Sequence, residues 1–449
     1  MLLSIMVLAF MFGGESVTMD KPDPYHDATG RFSHDQLVSL VREHGSPLYV
    51  YDGDLINKKY DLFYGAYKKH FDDVQVLYAV KANTNMAIMS LLKQRGAGAE
   101  CISGGEITTA LKLGYEGKQI LFTSSAKTTA ELELAISQGV VINLDSMEDL
   151  AHAGEVAARL QKKAHISFRI NPDVDPHTHK HIATGHKFSK FGILLEDDQI
   201  MHAYKLAHEH PWLEVWGLHS HIGSQITDWT PFQQNARVLV HFIARLKDEL
   251  GIQLKFIDLG GGLGIPYHDG QKTASPEDVA QNVAEVLRPA FEKLGYMPSI
   301  WLEPGRFLVG DSGILLATVI SVKDTPYTDF INVDTGFNHL VRPILYEAYH
   351  RIRVLNRKDD IRLFDVAGNI CETGDILGHN RLLPTPKAGD MIAILDAGAY
   401  GYTMASMYNS FALPAEILVR GDQATLIRER KTLDDLLEGQ IIPADLAPQ

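Results

Sequence analysis

VQVLYAV (74–80) is a short apolar run rich in β-branched residues, and MAIMSLLKQR (86–95) behind it carries apolar residues at three-and-four spacing. The first predicts a buried strand and the second an amphipathic helix. The same pairing recurs down the chain. GAECIS (98–103), QILFTS (119–124), VVINLD (140–145), AHISFRIN (164–171), VWGLHSH (215–221), LKFIDLG (254–260) and SIWLEPG (299–305) read as strands. TAELELAISQ (129–138), MEDLAHAGEVAARLQKK (147–163) and PEDVAQNVAEVLRPAFEKL (276–294) read as helices, the last started by Pro276, Glu277 and Asp278. Eight strands each followed by a helix, over about 230 residues, have the count and size of a (β/α)8 TIM-like barrel. A doubly wound open sheet shares this periodicity and stays open as the other architecture.

The rhythm changes near residue 306. LVGDSGILLATVISVKD (308–324), DFINVDTG (329–336), IRLFDVAGNIC (361–371), DMIAILDAG (390–398) and PAEILVRGD (414–422) are strand-like with few helices between them, which predicts an all-β domain. In front of the barrel, a short helix near 34–44 and SPLYVYD (46–52) form a lead-in. The expected division is an extension over 1–18, a lead-in over 19–45 packing on the β domain, the barrel over 46–306 and the β domain over 307–449.

Hydrophobic residues make up 45% of the 449 and charged ones 22%, the balance of a globular protein with ample core. The net charge of −14 argues against a broad surface for nucleic acid or anionic membrane, and leaves room for a small basic pocket. Two cysteines, Cys101 and Cys371, cannot build a disulfide framework or a cysteine-rich zinc site. MLLSIMVLAFMFG (1–13) is apolar, but the first basic residue is Lys21, and a spanning helix needs about 20 apolar residues. The extension reads as dispensable or as a misassigned start, with a weak signal peptide as the other reading. The expected compartment is the cytoplasm, with no membrane partner.

A barrel builds its active site at the C-terminal ends of its strands. Here those ends carry Lys81, Arg169 with Asn171, His219 to Gln225, Gly260 to Gly264, and Glu303 to Arg306. Lys81 is either a snorkelling lysine or an amine whose pKa desolvation lowers, making it a Schiff-base nucleophile. GGGLG is either a tight turn or a nest of backbone N–H groups for a phosphate, and late barrel loops favour the second. Glu303 reads as a structural ion pair or as the carboxylate that keeps a pyridine nitrogen protonated. Arg306 suits a phosphate or a substrate carboxylate. His221 is a core histidine or an imidazole stacked on a cofactor ring, and Ser224 could add a hydroxyl to a phosphate. His177, His179 and His181 have no carboxylate at ligand spacing, so no metal site is proposed.

In the β domain, Asn338 to Tyr346 places Arg342 four residues before Tyr346, Cys371 neighbours Glu372 and Asp375, and Tyr400 sits on a turn after Asp396. Cys371 is either a small buried hydrophobe or chemistry. Two nearby acids raise a thiol pKa, which suits a proton donor better than a nucleophile. Cys101 lies within the second strand and reads as packing.

Taken together, YAVKAN (78–83), RINPDVD with THKHIATGHKFSKFGI (169–193), HSHIGSQ (219–225), DLGGGLG (258–264), EPGR (303–306), NHLVRPILY (338–346), CETGD (371–375) and DAGAYGYTMASMYNS (396–410) resemble the fold-type III decarboxylases that use pyridoxal phosphate, and within them the diaminopimelate decarboxylases. The likeness runs from about residue 28 to 425. It implies that Lys81 forms the internal aldimine, that His221 stacks on the ring and that Glu303 pairs with its nitrogen. It implies that Gly260, Gly261, Gly262, Ser224 and the backbone of Glu303, Pro304, Gly305 and Arg306 hold the phosphate, with Tyr400 alongside. Arg306, Arg342, Tyr346, Glu372 and Tyr400 would bind substrate, and Cys371 would donate a proton. The resemblance also implies a β-sandwich or β-barrel C-terminal domain, and a homodimer whose cysteine segment reaches into the partner's barrel.

The implied reaction converts meso-2,6-diaminopimelate to L-lysine and CO2, the last step of lysine biosynthesis. The arginines suit the remote carboxylate and Glu372 the remote ammonium. A decarboxylase of ornithine, lysine, arginine or carboxynorspermidine is the other enzyme reading, and it needs no arginine for a remote carboxylate. A racemase would lack the CETGD segment. A non-catalytic homologue would usually have lost the lysine or the cysteine, and both are present. Two positions depart from the pattern: Thr373 stands where serine is expected and Met407 where asparagine is more usual.

Overall fold

The computed structural model describes residues 30, 32–175, 189–194, 198–358 and 360–447. The apolar extension and the His177–His181 loop lie outside them. Strand β1 (Leu48–Asp52) comes first. Then β2 (Val74–Ala79), β3 (Gly98–Cys101), β4 (Ile120–Phe122), β5 (Val141–Leu144) and β6 (Ala164–Asn171) follow in parallel order. The two-residue β7 (Ile193–Leu194) hooks onto β6, and β8 (Leu213–Ser220), β9 (Phe256–Asp258) and β10 (Ser299–Leu302) continue the cylinder. β10 pairs with β2 and β5 with β6, so the sheet closes into an eight-stranded parallel barrel and the open-sheet alternative falls away.

All eight apolar runs of the sequence became these strands. They are buried on both faces, which is why they read as continuous runs with little alternation. Leu77, Leu121, Val141, Phe256 and Trp301 pack together as a separate cluster, with the Phe256 and Trp301 rings stacked at 3.7 Å. Helix starts follow local chemistry. Ser275 caps the helix Pro276–Leu294 in a reciprocal capping box with Asp278, and Thr128 does the same with Glu131 for Thr129–Gln138.

The helical ring differs from the expected repeat in one place. After β10 there is only the four-residue helix Arg306–Val309. The position is filled from the other end of the chain by the helix Gly53–Lys68, which packs between Pro276–Leu294 and Met86–Gln94.

The second domain is one connected sheet of β1 with β11 (Gly313–Lys323), β12 (Phe330–Val333), β13 (Ile352–Val354), β14 (Ile361–Ala367), β15 (Ile376–Pro384), β16 (Met391–Ile394), β17 (Ala415–Arg420) and β18 (Gln423–Arg428). β11 pairs with β1 and β16 over its first half and with β12 over its second, across a register shift between Val319 and Ser321. The expected barrel boundary at residue 46 is corrected by β1. Its five residues are all buried, antiparallel to β11 and parallel to β17, so Leu48–Asp52 belongs to this sheet. The helix His34–His44 buries Leu37, Leu40 and Val41 on the same strands. No helix among the described residues is long and apolar enough to cross a membrane.

Candidate active site

Lys81 leaves β2 on the 3-10 turn Val80–Ala82. The sheet domain holds that turn. Asn83 Nδ2 donates to Gly398 O at 3.1 Å, and Tyr400 N donates to Ala82 O at 2.8 Å. A step further on, Asn85 Nδ2 donates to Glu416 Oε2 at 2.9 Å, and the other Glu416 oxygen accepts from Tyr51 Oη at 2.7 Å. Buried polar groups satisfied this fully fix one geometry.

Lys81 Nζ meets Glu100 Oε2 at 2.5 Å, and Thr123 Oγ1 donates to the other Glu100 oxygen. Burial works against the charge on Lys81. Glu100, Tyr400 and Glu303 outweigh it and hold the amine above the usual lysine range. Of the two readings of Lys81, the amine lowered by desolvation is the one this arrangement opposes, because a buried carboxylate faces it and keeps it a cation.

Glu303 ends β10. Its Oε2 lies 3.3 Å from His219 Nε2, and its Oε1 is buried without a partner. Burial alone would raise this carboxyl, but His219 and Lys81 hold it below the usual carboxylate range. His221 is pushed well below the usual histidine range by burial and by Arg169. It is neutral at physiological pH, and its Nδ1 accepts from Gly261 N at 3.2 Å.

The glycine run has no room for side chains. A Cβ on Gly261 would lie 2.0 Å from Glu303 O, and one on Gly262, whose φ is +110°, would lie 2.4 Å from Gly223 O. Bare backbone therefore forms this wall. Beside it, Arg306 Nη2 donates to Ser224 Oγ at 3.1 Å and Nη1 to Tyr267 Oη at 2.7 Å, while Nε is buried without a partner. The Arg306 guanidinium lies 5.0 Å from the centre of the Tyr400 ring.

Lys81, His221, Ser224, Gly262, Glu303, Gly305, Arg306, Tyr346 and Tyr400, with Ala79, line one cavity of about 200 Å³. Gly260, Gly261 and Pro304 pack behind it against Phe63, Tyr67 and Phe232. Arg342 is buried a layer back, 4.9 Å from the centre of the same Tyr267 ring that Arg306 bonds. Its Nη1 meets His350 Nε2 at 2.8 Å, and His350 Nδ1 meets Leu395 O at 2.8 Å. A carbonyl only accepts, so Nδ1 carries the proton and Nε2 accepts from the guanidinium. Cys371 and Glu372 are not brought to this cavity. Both are exposed, and Tyr408 Oη donates to Glu372 Oε1 at 2.5 Å.

The donor set fits pyridoxal phosphate: an amine for its aldehyde, the unpartnered Glu303 Oε1 for its ring nitrogen, and a glycine wall with Ser224 and Arg306 for its phosphate. Sequence reasoning gave no role to Glu100, His219, Asp258, Tyr267 or His350. The first three were findable, since each ends or nearly ends a barrel strand. Tyr267 and His350 lie on loops and carried no signal.

The family described as pyridoxal-dependent decarboxylase, pyridoxal binding domain, matches residues 56–310. The chain is 40% identical over 416 residues to a diaminopimelate decarboxylase of Archaeoglobus fulgidus, covering 91% of this chain and 96% of that one. It is 40% identical over 412 residues to one of Methanothermobacter thermautotrophicus, covering 91% and 95%. The crystal structure of diaminopimelate decarboxylase from M. jannaschii in complex with L-lysine superimposes with a TM-score of 0.88 at 38% identity, over 92% of this chain and 95% of that one. A lysine/ornithine decarboxylase from Vibrio vulnificus shares the fold, with a TM-score of 0.74 at 21% identity. This chain belongs to the diaminopimelate decarboxylase family of pyridoxal-dependent decarboxylases.

Proposed function

We propose that the protein removes one carboxylate from meso-2,6-diaminopimelate and releases L-lysine and CO2. One observation carries the reading. A lysine cation and a buried carboxylate with one unpartnered oxygen face the same cavity, beside a wall of bare glycine backbone and arginine. Lys81 would hold the cofactor's aldehyde, Glu303 its ring nitrogen, and Gly262, Ser224 and Arg306 its phosphate, with His221 against the ring. Bound there, pyridoxal phosphate supplies an electron sink for the charge left when CO2 departs.

The remaining chemistry belongs to the chain. Tyr346 and Tyr400 wall the cavity against water, and Arg306 with Arg342 behind Tyr267 favours a substrate whose far end carries a carboxylate. That far end also carries an ammonium, which Glu372 suits, and Cys371 Sγ would donate the proton to the carbon that lost CO2. Cys371 and Glu372 are exposed and away from their own cavity, which supports a homodimer in which each subunit's 371–374 segment completes the other's site.

The test is direct. Purified protein supplied with cofactor is given meso-diaminopimelate, ornithine or lysine, and CO2 and L-lysine are measured, beside Lys81→Ala and Cys371→Ala. Release from diaminopimelate that both substitutions abolish is expected. Release from ornithine or lysine alone would overturn the substrate, and full activity in Lys81→Ala would overturn the role of Lys81.

A further inference from the structure

Three acid–base groups lie side by side under the cavity. His219, Asp258 and Glu303 come from the adjacent strands β8, β9 and β10, with His219 and Asp258 in register. All three are buried, and one ligand atom of each lies within 4.8 Å of the others. Among the described residues, two hydrogen bonds engage these three side chains. His219 Nε2 meets Glu303 Oε2 at 3.3 Å, and Gly260 N donates to Asp258 Oδ1 at 2.8 Å. Asp258 Oδ2 and His219 Nδ1 have no partner, and neither has Glu303 Oε1, on a residue that lines the cavity.

Two carboxyls this close and this dry do not both ionise. Which one keeps its proton follows from what each meets. Glu303 has the imidazole N–H on one oxygen, and Lys81 adds to its stabilisation as an anion. Asp258 has one backbone N–H and no cation in contact. Burial and the charge on Glu303 push Asp258 well above the usual carboxylate range, even against the pull of Lys81. Among the other groups that act on this floor, Glu100 adds negative charge to Asp258. Arg169 adds positive charge to His221, and Glu303 counters it.

We propose that His219 and Asp258 are positioning residues for the proton on the cofactor's ring nitrogen: His219 holds Glu303 as a carboxylate through Oε2 and leaves Oε1 for the ring, while Asp258 stays neutral so that the floor carries one negative charge. The proposal rests on the reading of Glu303 given above. A proton shared between a nitrogen and a carboxylate goes to the stronger base. Removing the imidazole N–H, or adding a second anion, makes Glu303 the stronger base. The proton then moves to Oε1 and the ring loses its charge.

The experiment uses the holoenzyme loaded with pyridoxal phosphate labelled at the ring nitrogen, and reads that nitrogen's chemical shift at neutral pH. The wild-type signal is expected in the protonated range. His219→Leu moves it toward the unprotonated range, His219→Gln, which keeps an N–H, returns most of the displacement, and Asp258→Asn, a neutral isostere, leaves it in place. Infrared spectra of the wild type carry a protonated carboxylic acid band that Asp258→Asn removes, which tests the charge assignment even where His219→Leu fails to fold. A wild-type shift in His219→Leu, a displaced shift in Asp258→Asn, or the absence of that band overturns the proposal alone. Wild-type protein that takes up no cofactor overturns the functional reading and this proposal with it.

Discussion

Glu100 on β3 and Lys81 just after the neighbouring β2 meet at 2.5 Å, and the buried carboxylate supplies charge that holds the half-buried amine as a cation. A cationic lysine is the resting form. The amine must shed its proton before it can attack an aldehyde, and the same carboxylate is at hand to take it.

Glu100→Gln leaves burial to act on Lys81 against Tyr400 and Glu303 alone, and the lysine pKa falls. The folded value in the wild type is raised, so the stability the pair contributes is present below the unfolded lysine pKa and is lost as pH rises through the folded one. The rate at which cofactor-free protein takes up pyridoxal phosphate, followed by visible absorbance across pH, should have its half-point displaced to lower pH in the variant. An unmoved half-point would refute the role given to Glu100.

Gly262→Ala places a Cβ against Gly223 O at a positive φ. The strain costs about 1–3 kcal/mol, and the cofactor dissociation constant should rise about tenfold or more as the wall shifts. Gly65→Ala is the control, because a Cβ there meets nothing within 4 Å. Thermal unfolding and cofactor titration of the pair distinguish a site effect from a general one.

Arg342→Met removes the second guanidinium behind Tyr267. The KM for diaminopimelate should rise by about tenfold with a smaller change in kcat, since the charge acts through Tyr267 and Arg306 in ground and transition states alike. His350→Phe, which deletes the acceptor that holds Arg342 Nη1, should reproduce part of the rise. Equal losses for a substrate lacking the far carboxylate would show that Arg342 only supports the fold.

Inactive Lys81→Ala and Cys371→Ala chains, mixed and allowed to exchange subunits, should regain about one quarter of wild-type activity, because half the dimers then hold one complete site. Mixtures that stay inactive while exchange is verified by mass would argue that each site is built within one chain.

The barrel was legible because its strands are dry on both faces. Runs such as VQVLYAV and AHISFRIN need no partner to be recognised. β1 was legible as a strand but not as a member of its sheet, because LYVYD says nothing about pairing with Leu316 on one side and Ala415 on the other. Short or exposed strands were missed outright. IRV in β13 is three residues long, and QATLIR in β18 lies at the sheet edge with Gln423 to Leu426 exposed. In the site, Lys81, His221, Ser224, Gly262, Glu303, Arg306, Tyr346 and Tyr400 converged on the cavity, and Arg342, Cys371 and Glu372 did not. Glu100 was overlooked although it ends a strand, and the Tyr267 link between two arginines arises only when the loop after β9 folds over the sheet domain. Cys371 was singled out from its flanking acids, and its distance from its own cavity could not be read from the chain.

β1 has a consequence for synthesis. The ribosome releases it among the first structured segments, yet both of its hydrogen-bonding neighbours, β11 and β17, are translated only after the whole barrel. Until β17 emerges, β1 has a bare edge, and Glu416, the residue that clamps Asn85 beside the lysine turn, does not yet exist. A chain truncated before residue 416 would lack the Glu416 clamp on Asn85, and one truncated before residue 398 would also lack the partners of Asn83 and Ala82. The sheet thus acts as a check on completeness, since a nascent chain gains its chemistry only once its far end has been made.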